Sequence, residues 1–158
     1  MNAEVINKFL SATTAVLGDY FNIKIEPGGK AQAIPASSPM EPVSVLLEMT
    51  GDLAGQFVFG CQPPVALDIA RAMMMNPEYP DFDEMCRSAL AELGNMIAGM
   101  TSTGLSEMGI FVDLVPPLVV TGENISIHFS VPIIIGLPLN TSAGEIRVCI
   151  ALKPSAGA

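Results

Sequence analysis

The residues best suited to chemistry lie in one segment, "SALAELGNMIAGM", over 88–100. A carboxylate, Glu92, is followed three positions later by an amide, Asn95, and Ser88 precedes Glu92 by four positions. In a helix, spacings of three and four residues place side chains on one face. A carboxylate can pair with a cation, and an amide can accept and donate hydrogen bonds at once.

Other kinds of catalytic site are disfavoured by the residue types that the chain holds. The single histidine, His128, lies in the alternating segment "NISIHFS" and is interpreted as a strand residue rather than as part of a Ser/His/Asp triad. The three cysteines, Cys61, Cys86 and Cys149, are odd in number and widely spaced. They predict neither a disulfide framework nor a zinc site. We therefore expect no metal and no cofactor of the protein's own.

The balance of charge and hydropathy restricts the class of partner. Seven lysines and arginines stand against 16 aspartates and glutamates, giving a net charge of −9. Nucleic-acid binding needs a cationic surface, so it is not expected. Half of the residues are apolar, and "VPIIIGLPL" at 131–139 is an apolar run that needs cover on more than one side. These features predict that a partner or a second copy covers part of the surface.

Length and hydropathy indicate one cytoplasmic domain. The 158 residues suit a single domain over 1–158. No segment reaches the roughly 18 consecutive apolar residues that a bilayer-spanning helix needs. No basic stretch followed by an apolar one opens the chain as a secretion signal would. We expect no insertion into a membrane.

Three helices are predicted from the spacing of apolar residues and from residues that typically begin or end a helix. The segment 3–17 has apolar residues at helical spacing and ends near Gly18 and Asp19. Two prolines open a second helix over 63–75, because proline is tolerated in a first turn. The segment that holds Glu92 and Asn95 belongs to a third and longer helix, over 82–108.

Apolar and alternating runs predict strands between these helices, at 21–25, 43–49, 56–60, 111–120, 124–131, 132–139 and 146–152. Two segments resemble each other, "TGDLAGQFVFGC" at 50–61 and "NTSAGEIRVCIA" at 140–151, and each follows another apolar strand. They predict two related β-hairpins, one before and one after the long helix. The expected fold class is α+β, with long helices packed on a mostly antiparallel sheet.

The long helix sorts into three faces when it advances by about 100° per residue. One is the expected core face, made by Cys86, Leu90, Leu93, Ile97 and Met100. A second face holds only small residues, Ala91, Gly94 and Ala98. A small face lets another backbone approach closely, which would explain Gly94 despite its cost of about 1 kcal/mol relative to alanine.

The third face is polar but nearly uncharged, and we name it the polar stripe: Ser88, Glu92, Asn95, Gly99, Ser102 and Ser106. An ordinary solvent-facing helix would carry pairs of lysine and glutamate. The small side chains of the polar stripe are typical of a surface that another molecule covers. The pattern is equally compatible with a solvent face on which Glu92 is a generic acid.

These residues resemble the signature of the CheC/CheX/FliY family of chemotaxis phosphatases, and its CheX members most closely. In that signature Ser or Asp precedes Glu by four positions, Asn follows Glu by three, and a proline stands somewhat over twenty positions downstream. Ser88, Glu92, Asn95 and Pro117 occupy those places. The resemblance extends over nearly the whole chain, to "MNAEVIN", "TGDLAGQFVF" and "TSAGEIRVCIAL".

The resemblance predicts one site per chain. CheC-like members carry two copies of Glu-x-x-Asn, and Glu4 and Asn7 in "EVIN" match those letters. That segment lacks the preceding Ser or Asp and the small residues that follow the motif elsewhere. We interpret it as ordinary polarity at the start of a helix.

The resemblance also implies a function. The family dephosphorylates the phospho-aspartate of a CheY-like response regulator, and by analogy Asn95 would position the attacking water while Glu92 pairs with a lysine of the partner. Ser88 and Gly99 would belong to the docking surface, with Gly94 and Pro117 as structural members of the motif. Magnesium would be held by the phosphorylated receiver domain, and the protein would form a homodimer by joining sheets.

Two other classes of function remain open at this point. One is a non-catalytic interaction module of the CheC or FliM kind in a signalling or flagellar switch complex, whose sequence could look identical. The other is a hydrolase with its own pair of carboxylates, which must converge in one cleft. Glu92 has no acidic neighbour on the polar stripe, and Glu107 lies at the far end of the helix. The paired-carboxylate hydrolase is therefore the less favoured.

Overall fold

The computed structural model describes residues 3–26, 29–131 and 134–154. Three α-helices are present in these ranges, α1 (Ala3–Ala15), α2 (Pro63–Met74) and α3 (Glu84–Ser106), and a π-helical turn, Val16–Tyr20, continues α1. The strands are β1 (Ile25–Glu26), β2 (Gln32–Ile34), β3 (Ser37–Pro39), β4 (Val43–Gly51), β5 (Leu53–Cys61), β6 (Val112–Leu114), β7 (Leu118–Thr121), β8 (Ser126–His128), β9 (Ile134–Thr141) and β10 (Gly144–Pro154).

The main sheet is built from two hairpins that meet at its centre. Its strand order is β1-β9-β10-β5-β4-β6, with β2 also paired to β9 and β7 also paired to β4. The hairpins β4–β5 and β9–β10 join where β5 and β10 lie side by side, with Val58 opposite Cys149. Every pairing between these strands is antiparallel. The predicted α+β class and its two hairpin units are confirmed.

The helices cover one face of this sheet because alternate strand residues point to that side. Phe57 on β5 stacks on Phe9 of α1 with ring centroids 4.7 Å apart, and Leu93 and Ile97 of α3 join the same buried cluster. The other face carries Val58, which packs in a smaller cluster with Phe129, next to the two-stranded sheet of β3 and β8. Helix α3 is therefore held with one side on the sheet and the other outside.

Several predicted boundaries are wrong for local reasons. The strand predicted over 111–120 is two strands, because Pro116 and Pro117 lack the N–H that a continuous ladder needs. The strand predicted from position 21 begins only at Ile25, since the helical turn persists to Tyr20 and Asn22 adopts a left-handed φ of 55°. Helix α1 and its π-helical turn therefore extend past the predicted end at Gly18 and Asp19.

The apolar run near the C-terminus is not an open edge. The strand predicted over 132–139 runs from Ile134 to Thr141, and Pro132 and Ile133 lie outside the described residues. It pairs with β10 on one side and with β2 and β1 on the other. The cover that this run needs is therefore supplied in part by the chain itself. None of the helices in the described part of the chain is long and apolar enough to span a bilayer.

Candidate functional site

Helix α3 begins at a well-defined cap. The Asp83 carboxylate accepts hydrogen bonds from the backbone N–H groups of Met85 and Cys86, at 3.0 and 3.2 Å, and from the hydroxyl of Tyr79 at 2.6 Å. Aspartate is favoured at this position because its oxygens satisfy N–H groups that have no partner within the helix. These hydrogen bonds, that of Tyr79 first, lower the pKa of Asp83. The same contact raises the pKa of Tyr79 to about 12.

The polar stripe lies on the outer side of α3, opposite the sheet. Leu90, Leu93 and Ile97 are each 1% exposed and form the inner side. The polar stripe is open to solvent at Ser88, Glu92, Asn95, Gly99 and Ser106, and Ser102 is half-buried. The carboxylate and the amide that the sequence singles out therefore stand next to each other on the surface, one helical turn apart.

Glu92 and Asn95 are free to act on another molecule. Within the described part of the chain, neither side chain is engaged in a hydrogen bond or an ion pair. Residues three apart on a helix have β-carbons about 5–6 Å from each other, so both groups can reach one small target. Their geometry suits an amide and a carboxylate that act together on a bound partner.

The side chains around Glu92 and Asn95 are short, so the surface of α3 there is flat. A β-carbon placed on Gly99 would meet no atom within 4 Å, so the space above it is open. The hydroxyls of Thr103 and Ser106 donate to the carbonyls of Gly99 and Thr103, at 3.1 and 2.7 Å, and thus lie against the helix. A convex or flat partner can therefore approach the helix closely beside Glu92 and Asn95.

Gly94 and Pro117 meet on the inner side of the helix. A β-carbon on Gly94 would lie 3.1 Å from side-chain atoms of Val45 and Leu47 and 3.2 Å from Cβ of Pro117. The predicted close approach at the small face thus occurs, but the nearest atoms belong to side chains and not, as expected, to another backbone. Since Asn95 directly follows Gly94, the proline supports the helix beneath the amide.

Arg87 is a member of this support that sequence reasoning missed. Its guanidinium donates to Thr121 Oγ1 at 2.8 Å and to the carbonyl of Val119 at 2.9 Å. These bonds tie the first turns of α3 to β7, which begins directly after Pro117. Arg87 also pairs with Glu84, three residues earlier, at 3.5 Å. It is the one basic residue of α3, and a single cation on a helix with so few charges is a signal that could have identified it.

Met100 does not belong to the core face as expected. It is 36% exposed and lies at the border of the polar stripe. Together with Tyr20, which is 63% exposed, it lines a shallow groove of about 340 Å³ between the end of α1 and α3. The remaining residues of this apolar groove are Val16, Met96, Gly99 and Thr103.

The residues considered for other chemistries lie apart from the polar stripe. His128 is on β8, paired with Ser37 of β3. Cys86 is buried on the inner side of α3, as predicted, and its thiol donates to the carbonyl of Asp81 at 3.5 Å. Burial raises the pKa of Cys61 to about 12. Nowhere in the described ranges do three or more His, Cys, Asp or Glu side chains come together as a metal site.

Comparisons with known proteins find relatives in sequence and in fold. The family model for the chemotaxis phosphatase CheX matches residues 43–136. The chain is 31% identical over 145 residues to the CheY-P phosphatase CheX of Thermotoga maritima, covering 92% of each chain.

Two solved structures share the fold over almost their whole length. The chemotaxis protein CheX from Desulfovibrio desulfuricans superposes with a TM-score of 0.83 at 27% identity, covering 95% of this chain and 99% of that one. The CheX–CheY–BeF3–Mg complex from Borrelia burgdorferi gives a TM-score of 0.77 at 26% identity, covering 94% and 97%. The shared fold therefore extends over nearly all of the described helices and strands.

Proposed function

The chain belongs to the CheX family of chemotaxis phosphatases, and on this basis we propose that it hydrolyses the phospho-aspartate of a CheY-like response regulator. One observation supports assigning this activity to particular residues. Glu92 and Asn95 stand exposed and unengaged on one turn of α3, on a polar stripe that another protein can cover. The relative from Borrelia burgdorferi is solved as a complex with CheY.

Hydrolysis of a phospho-aspartate requires few catalytic groups from the phosphatase. In an acyl phosphate the leaving group is a carboxylate, which needs no proton from a general acid. A water oxygen bonds to phosphorus, the P–O bond to the aspartate breaks, and its electron pair stays on the carboxylate. The products are aspartate and dihydrogen phosphate, which then releases a proton to solvent. Catalysis of such a transfer depends mostly on positioning and charge stabilisation.

Asn95 is proposed to hold the attacking water in line. Its oxygen can accept a hydrogen bond from the water, and its NH₂ group can donate to the water or to a phosphoryl oxygen. The neutral amide does not repel the phosphoryl group, as a carboxylate would. Its exposure on a low surface supports this role, because the side chain must enter an active site that belongs to another protein.

Glu92 is proposed to pair with a lysine of the receiver domain. A carboxylate beside a phosphoryl group is repelled unless a cation stands between them. Such a pair would set the position of α3 on the partner, with Ser88 and Gly99 in the covered surface. Magnesium, held by the receiver domain, would neutralise charge on the phosphoryl oxygens.

A phosphate-release assay against a panel of phosphorylated receiver domains tests the proposal. We expect the purified chain to accelerate loss of phosphate from at least one of them above the rate of the receiver domain alone. The Asn95→Ala variant is the control for contaminating phosphatases. Equal rates with and without the chain across the panel would contradict the proposed function.

The organisation of the protein is proposed on the same family basis. Residues 1–158 would form one domain, which would act in the cytoplasm as a homodimer. The high apolar fraction of the chain is a further reason to expect self-association. Light scattering at tens of micromolar should give the mass of a dimer, and a monomer mass would contradict this part of the proposal.

A further inference from the structure

An apolar edge runs along one border of the polar stripe. Met96 and Met100 follow Glu92 at intervals of four residues, so the three side chains occupy successive turns of α3. Met96 is half-buried, Met100 is 36% exposed, and the ring of Tyr20 closes the far side at 63% exposure. Large apolar side chains that face solvent together, beside a functional group, mark sites where another molecule binds.

The π-helical turn places Tyr20 in this edge. Val16 and Leu17 within the turn are buried, which anchors it in the core and leaves Tyr20 outside. The turn is closed by hydrogen bonds from Asn22 N to the carbonyl of Gly18 and from Ile23 N to that of Leu17, at 3.1 and 2.8 Å. Such turns are rare and recur at functional sites. The wall of the apolar groove is thus held by buried structure.

The apolar groove offers contact area with almost no free hydrogen-bonding groups. Thr103, its one hydroxyl-bearing residue besides Tyr20, already donates to the carbonyl of Gly99. Methionine side chains are flexible and polarisable, so they adapt to the shape of an inserted group. The lining therefore suits an apolar side chain and is poorly suited to a charged one.

We propose that the apolar groove receives an apolar side chain of the response regulator while Asn95 enters that protein's active site. The inference rests on the proposed function and adds the surface that holds the partner. The occupant follows from continuity, because Gly99 belongs to both the polar stripe and the apolar groove, and Met96 directly follows Asn95. A globular partner that covers Glu92 and Asn95 and extends across Gly99 can reach Met96 and Met100. The apolar groove thereby adds to the affinity that the Glu92 pair provides, whereas Asn95 sets the rate of the chemical step.

The test measures binding and turnover separately. It uses the receiver domain that the wild-type chain dephosphorylates fastest, activated with beryllofluoride and magnesium for binding and phosphorylated for turnover. Polar replacement of a central apolar contact costs about 1.4 kcal/mol, which is a tenfold loss of affinity. We expect Met100→Gln and Tyr20→Ser each to raise Kd and KM by about tenfold, with kcat at saturation within about twofold of wild type.

Three comparison variants make the result specific. Met100→Leu keeps the apolar lining and should retain the wild-type Kd. Met75→Gln changes a methionine that is 90% exposed at the end of α2, away from the apolar groove, and should change nothing. Asn95→Ala should show the opposite split, a lost kcat with a Kd close to that of wild type.

Each other outcome has a definite meaning. Wild-type Kd and KM in both Met100→Gln and Tyr20→Ser, in a chain that is otherwise active, would overturn this inference and leave the proposed function standing. A change from dimer to monomer in Met100→Gln with unchanged Kd would overturn it too, since the apolar groove would then cover a second copy. Absence of both binding and turnover in the wild-type chain would refute the proposed function itself, and the inference with it.

Discussion

Gly94 of α3 and Pro117 touch across the inner side of the helix, so closely that a β-carbon at position 94 would lie 3.2 Å from the proline Cβ. Val45 and Leu47 of β4 would be 3.1 Å away on the sheet side. The helix that carries Asn95 is therefore seated directly on β4 and on the segment that enters β7. The height and angle of the amide depend on this contact, which no longer side chain at position 94 could keep unchanged.

Gly94→Ala should lower both stability and turnover. Alanine in a helix gains about 1 kcal/mol over glycine, but overpacking a buried site costs about 1–3 kcal/mol. The side chains of Val45 and Leu47 or the ring of Pro117 must give by a few tenths of an ångström to admit the methyl group. We expect part of this adjustment to come from a shift of α3, which would carry Asn95 with it. We expect a lower urea midpoint and a lower kcat, measured by unfolding curves and by phosphate release.

Gly99→Ala is the matched variant, because the chemical change and the helix are the same. Nothing lies within 4 Å of the added methyl group, so the gain of about 1 kcal/mol in the free energy of unfolding should be realised. The methyl stands on the polar stripe, and KM should rise although stability improves. Equal stabilisation by both substitutions would show that Gly94 is not packed as described.

Helical and strand periodicity explain why much of the site is predictable from the sequence. In a helix as long as α3, the period of 3.6 residues per turn separates the buried face from the exposed face. Glu92 and Asn95 are therefore exposed, while Leu93 and Ile97 are buried. The two hairpins are predictable because turn residues precede a strand of apolar residues in both segments, at β5 and at β10.

Features that depend on contacts between distant elements are not predictable in this way. Met100 lies at the edge of the apolar arc of α3, and whether such an edge is covered depends on where α1 ends. That end is a π-helical turn, for which Val16–Tyr20 carries no periodic signal. The bonds from Arg87 to β7 likewise exist only once the sheet has formed.

Asn95→Ala should abolish phosphatase activity and leave the fold and the partner's affinity largely intact. The side chain is exposed and supports no other residue, whereas loss of a group that positions water should reduce kcat on the order of 100-fold or more. Single-turnover decay of the phosphorylated receiver domain measures this directly. Asn7→Ala, in the second Glu-x-x-Asn segment on α1, is the control and should keep the wild-type rate. Parental turnover in Asn95→Ala would exclude the proposed mechanism.

Glu92→Ala should weaken binding as well as turnover, because the carboxylate is assigned to a lysine of the partner. Glu92→Lys should be worse than Glu92→Ala, since it brings two cations together at the same place. Titration of the beryllofluoride-activated receiver domain gives both dissociation constants. A lysine variant that binds as tightly as the alanine variant would remove this role from Glu92.

The cap of α3 should make stability depend on acid pH. The folded state lowers the pKa of Asp83 below its value in the unfolded chain, which is about 3.9. The unfolded state therefore takes up the proton first. The contribution of the charged cap is complete above the unfolded pKa and is lost as pH falls through the folded pKa. We expect the free energy of unfolding to decline from about pH 5 downward.

Two variants isolate this contribution. Asp83→Asn keeps a capping side chain that does not titrate, so its unfolding midpoint in urea should decline less between about pH 5 and pH 3 than that of wild type. Tyr79→Phe removes the hydroxyl that lowers the pKa of Asp83 most, and should give an intermediate dependence. The same pH dependence in wild type and Asp83→Asn would show that other carboxylates cause the loss of stability at acid pH.

Magnesium should be required by the reaction but not by the isolated protein. Glu92 is a single carboxylate on the polar stripe, whereas magnesium takes six oxygen ligands and zinc is usually held by three or four protein side chains. Calorimetry of the isolated chain with magnesium or zinc should show no stoichiometric binding, while chelation of magnesium in the two-protein assay should suppress phosphate release. Glu92→Gln distinguishes a metal ion held by this protein from one held by the partner, because it keeps the size of the side chain and removes its charge. A tight metal site on the isolated chain that is lost in Glu92→Gln would indicate that the ion belongs to this protein, and the reaction would then be a metal-assisted hydrolysis carried out on its own surface.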